Sequence, residues 1–122
     1  MRNIKNISRH DVIKIGQWCK TNLGTKNCKP APQIKFYHKR KYEGWLGMYD
    51  WDDNVIEINK DGHSSVLDLI DTMIHEWSHY LQPSRQFNKR DEEHGYDENP
   101  YEVEANHRAS IWKRVCYKEV FR

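Results

Sequence analysis

Val12, Ile15, Trp18 and Cys19 recur at helical spacing, which predicts a helix over residues 10–22 with Gly24 as its stop. From residue 33 the pattern turns to alternation, with Ile34, Phe36 and His38 set against Lys35, Tyr37 and Lys39. Residues 33–38, 47–51 and 55–59 read as three short strands, the last β-branched through Val55-Ile56-Glu57-Ile58. Asp52-Asp53-Asn54 is a tight-turn sequence and predicts a hairpin. Beyond Asp61-Gly62 the helical period returns. Ser64 or Ser65 supplies a cap, and Asp68 a carboxylate for the first turn. Val66, Leu67, Leu69, Ile70, Met73, Ile74, Trp77 and Leu81 cover over half of this helix's circumference, so it is expected to cross the middle of the domain. Pro83 ends it. Residues 84–98 are polar and irregular and read as a loop. Asn99-Pro100 then caps a last helix, 101 to about 120, with Val103, Ala105, Ala109, Trp112 and Cys116 as inward candidates. The elements make one compact α+β domain over 1–122, with a small antiparallel or mixed three-stranded sheet.

At 122 residues the chain has room for one domain only. Mean hydropathy is −1.04, and 12% of residues are aromatic. A disordered chain would be poor in aromatics, so a folded, very polar domain is expected. No apolar run is long enough for a membrane span, and no apolar h-region follows the basic first residues. Cys19, Cys28 and Cys116 are odd in number without CxxC spacing and read as reduced thiols of a cytoplasmic protein. Charge is uneven. Residues 1–41 hold eleven Lys/Arg against Asp11, and residues 42–80 hold Lys60 against nine acids. Such a dipole serves solubility, or forms a basic face for nucleic acid or an acidic partner.

The chemistry lies in His75-Glu76-Trp77-Ser78-His79, an HExxH. Residues four apart on a helix share a face, so two imidazoles there can share a Zn²⁺ ion. Glu76, one step round, can reach a water on the metal without being a ligand, as a general base must. Two buried histidines beside a buried glutamate would be costly without a metal. A catalytic zinc also needs a third protein ligand and an open fourth position. The metzincin spacing is excluded by Gln82 and Arg85. Two candidates remain, Glu102 and His94.

Glu102-Val103-Glu104-Ala105-Asn106 resembles the ExxA[DN] that follows HExxH on the next helix in minimal gluzincins, the phage-type and ImmA/IrrE-like metallopeptidases. The resemblance covers roughly residues 55–109. It implies a zincin-like fold, Glu102 as third ligand, and Asn106 as the residue holding a ligand histidine's other ring nitrogen. Glu104 then reads as a surface acid or capping aid. In that clan the edge strand above the cleft pairs with an extended peptide, a role expected here of residues 55–59. SprT-like DNA-linked proteases resemble the chain more weakly, through His94-Gly95, and would make His94 the third ligand.

The expected activity is that of a zinc metallopeptidase, a hydrolase with one zinc per chain. His75, His79 and Glu102 hold the metal, Glu76 is the base, and a peptide or protein is the substrate. Tyr96, His94, Tyr80, Tyr101 and His107 are candidate oxyanion donors. The rival is a zinc-stabilised, non-enzymatic module that binds nucleic acid or a partner. Phe36-Tyr37-His38-Lys39-Arg40-Lys41-Tyr42 interleaves aromatics with positive charge and could grip single strands, but suits a charged hairpin edge better. The expected location is the cytoplasm, that of a host cell if the chain is phage- or virus-encoded.

Overall fold

The computed structural model describes residues 3–38, 46–83 and 99–121. It is α+β, three helices around a three-stranded mixed sheet. Helix α1 spans Arg9–Asn22. Ser8 caps it in a capping box with Asp11, each side chain taking the other's backbone N–H. Val12, Ile15, Trp18 and Cys19 form its buried face, as their spacing predicts.

Strands β1 (Gln33–Tyr37), β2 (Gly47–Asp50) and β3 (Val55–Asn59) lie in the order β1-β3-β2. The predicted β2–β3 hairpin is antiparallel, with Tyr49 opposite Ile56. Its turn places Asn54 at φ 55°, a left-handed position that asparagine tolerates. The Asn54 side chain accepts from the Tyr49 hydroxyl and donates to Pro30 O, so the turn is tied to both neighbours. β1 adds parallel to the other side of β3. That pairing corrects one expectation: residues 55–59 are the central strand, and the strand whose outer edge adjoins the HExxH helix is β2.

Helix α2 (Val66–Leu81) starts from Ser65, whose hydroxyl accepts the Asp68 N–H. Eleven of its sixteen residues are buried, so it crosses the core as its wide apolar surface predicts. Leu69, Ile70, Met73 and Ile74 have no exposed surface. Each such side chain contributes about 1.5–3 kcal/mol of burial. Gly47 lets β2 approach this helix: a Cβ there would stand 2.8 Å from both Glu57 O and Thr72 Cγ2.

Helix α3 (Pro100–Val120) starts from the predicted Asn99 cap and packs along α2. Ala105, Ala109 and Cys116 are buried against the domain, but Val103 and Trp112 are 53% and 39% exposed. The contact runs along a narrow row of small residues. Val103, two residues before Ala105, therefore points away from it, and Trp112 sits at its margin with its ring 6.3 Å from that of Trp18. No helix among the described residues is long and apolar enough to cross a membrane.

Candidate metal centre

Two helices build the site. α2 presents His75 and His79 one turn apart, and the first turn of α3 brings Glu102 against them. The two imidazole Nε2 atoms are 3.1 Å apart. Two tetrahedral ligands ~2.0–2.1 Å from one ion stand ~3.3 Å apart, so this spacing fits a shared zinc. Glu102 reaches both rings: Oε2 lies 3.3 Å from His75 Nε2, and Oε1 contacts His79 Nε2 more closely still. Three donor groups thus converge on one point, buried except for the His75 edge.

The tautomer of His79 follows from its neighbours. Gln82, at the end of α2, donates from Nε2 to Tyr101 O (2.9 Å) and to Glu104 Oε1 (3.1 Å). Both partners are acceptors, which fixes the amide with Oε1 facing His79 Nδ1 at 2.8 Å. Nδ1 must then carry the proton, leaving the Nε2 lone pair aimed at Glu102 and His75. Asn106 hydrogen-bonds the His75 ring. Each of the two histidines therefore has its own carboxamide, and Gln82 is the one the sequence does not single out. Its only sequence signal was its place, three residues after His79 and next to Pro83. Glu104 is half surface acid, as expected, and half anchor for Gln82 and Arg108.

Glu76 sits differently. Its side chain is buried, and Oε1 accepts the N–H of Tyr49 from β2 at 3.0 Å. The other oxygen lies 4.0 Å from His75 Nε2. His75, Glu76 and His79 also bring donor atoms within 4.8 Å of one another. Glu102 is nevertheless the nearer carboxylate, because it touches both rings while Glu76 is tethered to the sheet. The electrostatics separate the two acids further. Burial pushes the Glu102 carboxyl up, but the two imidazoles against it, as hydrogen-bond donors when protonated, outweigh burial and hold the group at about 2. Burial likewise raises Glu76, and there it prevails over the pull of His75 and His79. Burial works against the His75 imidazolium, yet Glu102, Glu76 and Asn106 together raise its pKa.

A cleft of about 360 Å³ opens onto these groups between β2 and the two helices, walled by Gly47, Asp71, Thr72, His75, Glu102 and Asn106. The Trp51 ring lies 6.3 Å from that of His79. Of the oxyanion candidates, Tyr80 is fully buried and donates to Lys29 O, which removes it from the site. Tyr101 and His107 do not line the cleft. His94 and Tyr96, like the stretch 39–42, lie outside the described residues. No protein family, curated protein or solved structure matches this chain.

Proposed function

We propose that the chain is a zinc-dependent metallopeptidase acting on peptide or protein substrates in the cytoplasm. The observation that carries the reading is the convergence of His75, His79 and Glu102 beside a separately tethered Glu76. Zinc, when bound, polarises a carbonyl and lowers the pKa of a coordinated water to about 7. His75 and His79 hold the ion through Nε2, and Glu102 holds it through its carboxylate. Gln82 and Asn106 keep the two rings in register. The Tyr49 N–H fixes one Glu76 oxygen, which leaves the other to take a proton from water and return it to the leaving amine. An extended substrate lies in the cleft beside β2, whose outer edge faces the site.

The contact of Glu102 with both rings favours it over His94 as third ligand. Against a purely structural zinc stands Glu76, since a four-ligand structural site has no use for a buried acid held beside it. The test is release of peptides from a denatured, fluorophore-quenched protein by the zinc-loaded chain. Turnover that disappears in Glu76→Gln with zinc retained supports the reading. Equal turnover in that variant removes Glu76 from the chemistry.

A further inference from the structure

A second groove of about 360 Å³ lies away from the metal cleft, between α1 and β1. Its floor is apolar, with Ile13, Ile34 and Trp77, and Ile13 is 38% exposed. Gly16 lets strand and helix approach, since a Cβ there would stand 3.0 Å from Ile34 Cγ1. Two cations mark its ends, Arg9 in the first turn of α1 and Lys20 in the last. Both are exposed, and neither has an ion-pair partner among the described residues.

The groove also borders an unpaired sheet edge. β1 pairs with β3 alone among the described residues. Gln33 donates its N–H to Asn54 O at 3.1 Å. In a parallel ladder successive residues turn their backbone groups to opposite sides, so those of Ile34 and Phe36 point outward.

We propose that this groove docks an extended, acidic segment of a partner protein, which adds as a strand to the outer edge of β1. Apolar side chains of the segment face Ile13, Ile34 and Trp77, and its carboxylates meet Arg9 and Lys20. The spacing is set by geometry. Eleven residues of helix separate the two cations by ~16 Å. A strand covers that span in about five residues, so the two acids stand about five apart. The strongly basic first third of the chain favours such a partner over a basic one. The site does not depend on the metallopeptidase reading and is tested without turnover.

The experiment is selection of a displayed random octapeptide library on the whole chain. Fluorescence polarisation of the best fluorescein-labelled peptide follows, against wild type, Arg9→Glu/Lys20→Glu and Lys14→Glu. The expected consensus has two acids about five apart with apolar residues between. The double reversal weakens binding ~10-fold or more, whereas Lys14→Glu, exposed on α1 outside the groove, weakens it at most ~2-fold. Amide exchange at Ile34 and Phe36 slows when the peptide is bound. No acidic consensus, an equal loss in Lys14→Glu, or unchanged exchange along β1 would overturn the proposal.

Discussion

Gln82 Oε1 accepts the Nδ1–H of His79 at 2.8 Å, and this one contact decides which ring nitrogen faces Glu102. Gln82 is only 3% exposed and is itself held by Tyr101 O and Glu104. Gln82→Ala frees the His79 ring and should weaken zinc about 10–100-fold. Competition with a chromogenic chelator measures it. Zinc affinity equal to wild type would show that the amide does not orient the ligand.

Glu102 is the only described carboxylate that touches both imidazoles. Glu102→Ala should therefore lose most of the zinc, whereas His94→Ala should keep it. Metal content of the two purified variants decides between them. The reverse pattern would move the third ligand to His94.

Much of this was legible in the chain. The helix periods, the Ser65 and Asn99 caps and the β2–β3 turn are local signals, and each places its element where the residues indicate. HExxH and the later Glu102 belong to two helices whose partnership only a family resemblance implied. What could not be read is tertiary. Nothing local to Gln33–Tyr37 says that it pairs parallel with β3 rather than with β2. Apolar residues lie all round α3, so periodicity could not tell Ala105 from Val103. Gln82 is nearly silent for the same reason, because the partners that orient its amide, Tyr101 and Glu104, lie 19 and 22 residues away.

Gly47 stands where β2 meets α2, and an added Cβ would press on a backbone carbonyl that cannot swing aside. Gly47→Ala should destabilise the fold by about 1–3 kcal/mol. Urea unfolding followed by tryptophan fluorescence checks this. A stability equal to wild type would mean that the strand gives way without cost.

His63 is a pH test of the fold outside the candidate ligand set, and its partner Thr72 walls the same cleft. Its Nδ1 lies 2.7 Å from Asn59 O and its Nε2 2.8 Å from Thr72 Oγ1. Burial lowers its pKa below the ordinary value, more than Asp68 and Asp71 raise it. The unfolded chain therefore takes up a proton at ~6.5 while the folded chain stays neutral. Stability from this group is complete above that pH and is lost as pH falls towards the folded pKa. Denaturant midpoints at pH 7.5 and 5.5 should fall for wild type and fall less for His63→Gln. Equal falls would place the pH dependence elsewhere.

The most direct measurement is zinc per chain, by metal mass spectrometry of untagged protein purified without chelator. Near one equivalent in wild type and in Glu76→Gln, with loss in His75→Ala and His79→Ala, is the predicted result. No zinc in wild type, and no rise in melting temperature on adding it, would contradict the metal centre.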